Sequence, residues 1–244
     1  MRIDFHSHIL PNMDDGASSI EESLELLNIL SSSRVDKVVL TPHFYRQNEK
    51  IQAFLDRRTQ SFQRLSEAAS GLQSCPELIL GAEVYFYPSL ASEADLGKLC
   101  IENTNYILLE LPFEHFNDNF YRSYANFLNS CPYKIILAHI ERYLKFGNTY
   151  KDIVKLLDYG NVLCQMNCGS LAKANFFSRK QLLAFISDGI ISAIGTDTHN
   201  LTHRPPLYSN AEKIIVNKCG QKAFDDICTN SQLILTDCEY SKIV

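Results

Sequence analysis

Seven short apolar runs rich in Ile, Val, Leu and Tyr recur along this chain, at 2–5, 37–40, 78–82, 106–109, 134–138, 162–166 and 191–194. Each has the length of a single strand, and polar stretches with helical periodicity separate them. Strands that alternate with helices pair in parallel, because a crossover helix returns the chain to the same end of the sheet. Seven such units without a glycine-rich phosphate loop predict an α/β fold, a distorted TIM-like (β/α)7 barrel in place of an open nucleotide-binding sheet. In the first helix Ile20, Leu24, Leu27 and Leu30 share a face, and Ser18 with Glu21 is expected to form its capping box. Further helices are expected at 53–69, 119–130, 150–159, 179–188 and 210–218. With no linker, repeat or low-complexity tract, residues 1–244 read as one domain.

Composition narrows the function. The chain is 45% hydrophobic and 21% charged, with a net charge of −5 and its lysines and arginines scattered. That pattern excludes a basic groove for nucleic acid and a polybasic membrane anchor. No apolar run approaches the roughly 20 residues of a membrane span. The N-terminus enters a strand without a signal-like segment, so a cytoplasmic location is expected. Assembly into a homo-oligomer is left open. The eight cysteines contain no C-x-x-C pair and are expected to be reduced and mostly buried. None is followed six positions later by arginine, so the loop of thiol-dependent tyrosine phosphatases is missing. A phosphatase built on this chain needs another nucleophile.

The strand ends carry the chemistry. Alternate residues of a strand face the same side, so His6 and His8 can aim at one point. Asp14-Asp15-Gly16 follows them. Later strands end in Thr41-Pro42-His43, Gly81-Ala82-Glu83, Leu109-Glu110, His139-Ile140-Glu141-Arg142, Met166-Asn167 and Asp197-Thr198-His199. Functional groups of parallel barrels gather at the C-terminal face of the strands, and the repetition predicts a multinuclear metal site. Imidazoles and carboxylates without thiolates suit manganese, iron or zinc and disfavour a structural zinc cluster. Glu83, with two oxygens, can bridge two ions. A paired metal site can clamp both oxygens of an in-line phosphoryl displacement and turn bound water into hydroxide near neutral pH. Arg142 and Arg204 are then the candidate phosphate holders, since guanidinium groups grip phosphate oxygens bidentately.

Together these motifs resemble the polymerase-and-histidinol-phosphatase superfamily. Asp14-Asp15-Gly16 with Ile20-Glu21-Glu22-Ser23, His139-Ile140-Glu141-Arg142-Tyr143 and Arg204-Pro205-Pro206 resemble more narrowly the manganese-dependent protein-tyrosine phosphatases of bacterial capsular and exopolysaccharide operons. That resemblance implies a distorted (β/α)7 barrel with three metals, acting by metal-bound hydroxide on phosphotyrosine of a bacterial tyrosine autokinase tail. It implies His6, His8, Glu83 and Asp197 around the first metal, Glu83, Glu110 and His139 around the second, and Asp15, His43 and His199 around the third. Asp14 is the neighbouring candidate for the role of Asp15. Arg142 and Arg204 match phosphate-binding arginines, while His115 and His203 match no ligand position. The aromatic loops Phe44-Tyr45 and Leu111-Pro112-Phe113 either shape the mouth or pack. The alternatives are a phosphoesterase for a small phosphomonoester such as histidinol phosphate, and an amidohydrolase. The latter usually wants a carbamylated lysine and a histidine where this chain has Glu110 and Asn167.

Overall fold

The computed structural model describes residues 1–236, so Cys238 lies outside the described residues. The strands are β1 (Ile3–Ser7), β2 (Lys37–Leu40), β3 (His43–Phe44), β4 (Glu77–Leu80), β5 (Glu83–Tyr85), β6 (Tyr106–Glu110), β7 (Lys134–Leu137), β8 (Val162–Asn167) and β9 (Ile191–Gly195). The helices are α1 (Ile20–Ser32), α2 (Ile51–Ala69), α3 (Asp118–Ser130), α4 (Tyr150–Lys155), α5 (Cys168–Lys173), α6 (Phe176–Ser187), α7 (Tyr208–Cys219) and α8 (Gln221–Leu235). All strand pairs are parallel, in the orders β1-β2-β4 and β3-β5-β6-β7-β8-β9.

The nine strands occupy seven barrel positions, because the second and third predicted strands are each followed, after a break, by a short continuation. β2 runs into β3 across Thr41-Pro42, where proline supplies no N–H for the ladder. β4 runs into β5 across Gly81-Ala82. The breaks remain bridged by Thr41 N to Ser7 O at 2.8 Å, Gly81 N to Leu40 O at 2.9 Å and Glu83 N to Pro42 O at 3.0 Å. On the other flank, Asp197 N donates to His6 O at 2.7 Å and His8 N to Thr198 O at 2.9 Å. Below them the buried Asp4 carboxylate accepts from Thr196 N at 2.7 Å and Thr196 Oγ1 at 2.6 Å. β1 and β9 are thereby stapled together, and the distorted (β/α)7 ring closes.

Period-two alternation sorts the strand side chains. Ile3, Phe5, Val39, Tyr106, Leu108, Ile136, Leu163 and Ala193 form a small inner core, and Ile234 of α8 packs into the same cluster. The intervening residues, among them Val38, Leu40, Ile107, Leu109, Ile135 and Ile194, pack outward under the helices. Along β6 the inner series Tyr106, Leu108 leads directly to Glu110, which places that carboxylate over the core at the C-terminal end.

Several local expectations need correction. The first helix is capped one residue later, by the Ser19 hydroxyl accepting from Glu22 N, while Ser18 N and Oγ both donate to the Glu22 carboxylate. The reciprocal box does not form, because Glu22 accepts from Ser18 N and not from the N-cap Ser19 N. The segment after 155 tightens to a 3-10 turn over Leu156–Tyr159. α6 begins at Phe176, three residues early, because Asn175 caps it by accepting from Ser178 N. α5 and α8 were not anticipated. Of the described cysteines only Cys100, Cys164 and Cys168 are buried; Cys131, Cys219 and Cys228 are half-buried and Cys75 is exposed, because they lie on helix flanks and loops. No described helix is long and apolar enough to cross a membrane.

Candidate metal centre

The closed ring brings the strand ends to one side, and all nine expected ligands meet there. His8, Asp15, His43 and His199 offer atoms within 4.8 Å of one another, as do His6, His8 and Glu83; His6, His139 and Asp197; and His43, Glu83 and Glu110. These overlapping groups share members, so the side chains form one continuous cluster. The sets the resemblance implies are each in contact within it: His6 and His8 Nε2 lie 3.1–3.6 Å from Glu83 Oε2 and Asp197 Oδ1, His139 Nε2 lies 2.7 Å from Glu83 Oε1 and 3.4 Å from Glu110 Oε1, and Asp15 faces His43 and His199.

Glu83 sits at the centre. Its Oε1 lies 2.7 Å from His139 Nε2, and its Oε2 lies 3.1 Å from His6 Nε2, 3.2 Å from His8 Nε2 and 3.0 Å from His43 Nδ1. Oε2 is nonetheless buried without a hydrogen-bond partner among the described residues. His6 Nε2 and His8 Nε2 face each other at 3.1 Å, where at most one proton fits between two lone pairs. Buried acceptors aimed at acceptors, with oxygen and imidazole donors only, fit divalent cations.

Neighbouring groups fix the rings. His8 Nδ1 bonds Asp14 Oδ2 at 2.8 Å, His6 Nδ1 bonds Gln165 Oε1 at 3.1 Å and His199 Nδ1 bonds the Asp197 carbonyl at 3.0 Å. Each contact holds the proton on Nδ1 and turns the Nε2 lone pair inward. Asp14 also accepts from His43 N at 2.8 Å and Gly16 N at 2.9 Å, so both its oxygens are engaged. Asp15, mostly in solvent, instead faces His199 Nε2 at 3.3 Å and His43 Nε2 at 3.6 Å. Of the two aspartates, Asp15 reaches the cluster and Asp14 orients a ring.

The backbone is shaped for this convergence. His139 (φ 33°) and Asp197 (φ 51°) both adopt left-handed conformations, an uncommon state for such residues and one that gathers at functional sites. Two glycines permit close approach. A Cβ on Gly195 would stand 2.5 Å from His6 Cβ, and one on Gly16 would stand 2.2 Å from His8 O. Any side chain at either place would displace a cluster histidine. Gly195, Gln165 and the orienting role of Asp14 escaped sequence reading, although the D-G and I-G-T-D strings flanking the histidines were the available signal.

The charges are mutually stabilising. Burial pushes the Glu83 and Asp197 carboxyls up, but the surrounding histidines, and Arg204 for Asp197, hold both well below the usual carboxylate range. Burial likewise opposes a charge on His139, yet Glu110 and Glu83 drive it up to about 10. Asp15, beside His199, His43 and His8, is held down to about 2.

Arg204 and Arg142 stand beside the cluster. The Arg204 guanidinium bonds Asp197 through Nη2 and contacts His199 Nε2 at 2.7 Å through Nη1. Arg142 Nη1 lies 3.6 Å from Asp197 Oδ2, and its guanidinium stands over the Phe113 ring, 4.6 Å from the centroid. Phe113 is half-buried and stacked on His139, Tyr45 bonds Glu110 at 3.3 Å, and Phe44 belongs to the core. His115 and His203 are exposed and outside the cluster.

The family model for capsular polysaccharide synthesis, CpsB/CapC, matches residues 2–236. The chain belongs to the CpsB/CapC family. Among CpsB/CapC relatives it is 28% identical over 243 residues to the tyrosine-protein phosphatase CpsB of Streptococcus pneumoniae, covering 96% of this chain and 98% of that protein. It is 29% identical over 243 residues to the tyrosine-protein phosphatase YwqE of Bacillus subtilis, covering 96% and 91%. A crystal structure from work on YwqE and CpsB, described there as unique metal-dependent tyrosine phosphatases, superposes with a TM-score of 0.82 at 24% identity over 98% of this chain and 96% of that one. The phosphotriesterase homology protein of Escherichia coli shares the fold at TM-score 0.55 and 13% identity, over 96% and 98%.

Proposed function

We infer that this CpsB/CapC chain is a metal-dependent protein-tyrosine phosphatase. The observation that carries the reading is the junction of the ligand cluster with two arginines at Asp197, in a family whose similar members are tyrosine-protein phosphatases. The residues His6, His8, Asp15, His43, Glu83, Glu110, His139, Asp197 and His199 would hold three divalent ions, with manganese the expected metal. Bound there, divalent ions make water nucleophilic near neutral pH and screen the charge of a phosphoryl group. Arg142 and Arg204 offer the oxygens of the phosphate those guanidinium N–H donors that Asp197 and His199 do not already engage. Asp197 holds both guanidiniums at the cluster's edge, so a phosphate they grip lies against the ligand array. Phe113 limits the swing of Arg142 by covering one side of its guanidinium. The phenol of tyrosine, with a pKa near 10, leaves with little help from an acid.

Family membership in capsular polysaccharide synthesis supports phosphotyrosine on a bacterial tyrosine autokinase as the physiological substrate, met in the cytoplasm by a single domain. A metal-reconstituted assay comparing phosphotyrosine peptide, phosphoserine peptide, histidinol phosphate and single-stranded DNA tests the reading. Phosphotyrosine peptide should give the highest kcat/KM, chelator should abolish it, and alkylation of thiols should leave it unchanged. Preference for histidinol phosphate would move the chain to small phosphomonoesters, with the same cluster.

A further inference from the structure

Resting on the phosphatase reading, we propose that the cleft leading away from the metal centre along α5 and α6 selects phosphotyrosine segments that carry an acidic residue beside the phosphotyrosine, recognised by Lys145 and Lys173. The cleft has a volume of about 650 Å3, within the range of roughly 300–1,000 Å3 that accommodates more than one side chain. Its lining includes Asp197, Arg142 and Arg204 beside the ligand cluster and Asn175 and Ser178 at the start of α6. One end therefore coincides with the site expected to take the phosphate, and the remainder is free for residues on one side of it.

Charge decides what fits. Six charged side chains line the cleft: Arg142, Lys145, Lys173 and Arg204 against Glu141 and Asp197. Both acidic groups are buried at the inner end, and Asp197 is already engaged by the two arginines. Lys145 makes no ion pair among the described residues, and the Lys173 ammonium donates to the His203 carbonyl at 2.9 Å, a contact that leaves its charge uncompensated. Two unpaired ammonium groups thus face one cleft on a chain whose net charge is −5. A carboxylate entering with the substrate supplies the missing partner and gains steering from the local field.

Between the lining residues Asn175 and Ser178, Phe176 and Phe177 open α6 with 78% and 79% of their surface exposed. Apolar side chains left in water at the rim of a polar cleft mark a contact surface. They give an apolar residue of the same segment a place to rest as it leaves the cleft.

The test measures kcat/KM for metal-reconstituted protein on three phosphotyrosine peptides flanked by Asp/Glu, by neutral residues or by Lys, with p-nitrophenyl phosphate as a substrate that has no flanks. Wild-type protein should prefer the acidic over the neutral peptide by roughly three- to tenfold, mainly in KM, with the preference shrinking as salt is raised. The double variant Lys145→Glu/Lys173→Glu should invert the order and favour the basic peptide, a gain that misfolding cannot produce. Phe176→Ser/Phe177→Ser should raise KM for an acidic peptide that continues into an apolar residue, and leave KM unchanged for one cut short before it. Equal turnover of all three peptides by wild-type protein overturns the cleft assignment and leaves the phosphatase reading standing. Failure to hydrolyse any peptide or p-nitrophenyl phosphate with metal supplied overturns the phosphatase reading itself.

Discussion

Replacing Asp14 by asparagine should weaken metal binding at the His8 side of the cluster by about 10- to 100-fold, although Asp14 is not itself among the ligands. The carboxylate serves three donors with two oxygens: His8 Nδ1 at 2.8 Å and His43 N at 2.8 Å on Oδ2, and Gly16 N at 2.9 Å on Oδ1. Burial alone would raise its pKa, but His8 and His43 hold it well below the usual carboxylate range, so it is charged throughout the working pH. A carboxamide has one oxygen. If its amino group turns to His8, it donates to Nδ1 and moves the ring proton to Nε2, which removes the lone pair a metal needs. If it turns to Gly16, an N–H is left facing an N–H, at a cost of about 1–3 kcal/mol. The affinity loss corresponds to about 1.4–2.7 kcal/mol. Titration calorimetry with manganese measures it, and p-nitrophenyl phosphate turnover at saturating metal should largely recover. Unchanged metal affinity in Asp14→Asn would refute the idea that this carboxylate sets the tautomer of His8.

Glu83→Ala and His139→Ala should lose bound metal together with activity, because each removes a central donor. Arg142→Ala and Arg204→Ala should keep their metal and lose about 10- to 150-fold in kcat/KM, the worth of a charge-assisted hydrogen bond at about 1.5–3 kcal/mol. Elemental analysis beside steady-state kinetics separates the two classes, and near-normal kinetics in the arginine variants would refute the phosphate clamp. Metal uptake should release protons and strengthen between pH 6 and 8. Burial disfavours the charged rings, yet neighbouring carboxylates raise His8 well above its ordinary value and His139 to about 10, so in metal-free protein both are protonated below those values. Those protons must leave before the rings ligate, and they compete more strongly as pH falls. Binding without proton release in weakly buffered solution would count against both rings as ligands.

Much of the fold was legible because it depends on local pattern. The runs at 106–109, 134–138 and 162–166 are apolar on both faces apart from Lys134 and Gln165, as strands covered by helices and filled by an inner core must be. The two broken strands were not legible as breaks. Thr41-Pro42 and Gly81-Ala82 look like strand ends, and only the pairing of β3 with β5 and of β5 with β6 reveals that the chain resumes the ladder beyond them. α8 was missed because its short apolar face follows α7 after a single glycine, and its value lies in Ile234 reaching the inner core.

The amino-acid sequence by itself determined which chemical groups stand at the strand ends, and period two fixes where Glu110 emerges, in step with the inner Tyr106 and Leu108; His6 and His8 are out of step with the inner Ile3 and Phe5, and the register of β1 shifts between Asp4 and Ser7 to accommodate them. Which atoms meet was decided only by closure of the ring. His6 and Asp197 are far apart in the chain, and they come within 3.6 Å because Asp4 and Thr196 staple the first strand to the last. The division between Asp14, which orients His8, and Asp15, which faces His43 and His199, has the same origin. Neighbours in sequence with identical side chains differ in role because the turn at Gly16, packed against His8, points one inward and leaves the other at the lip.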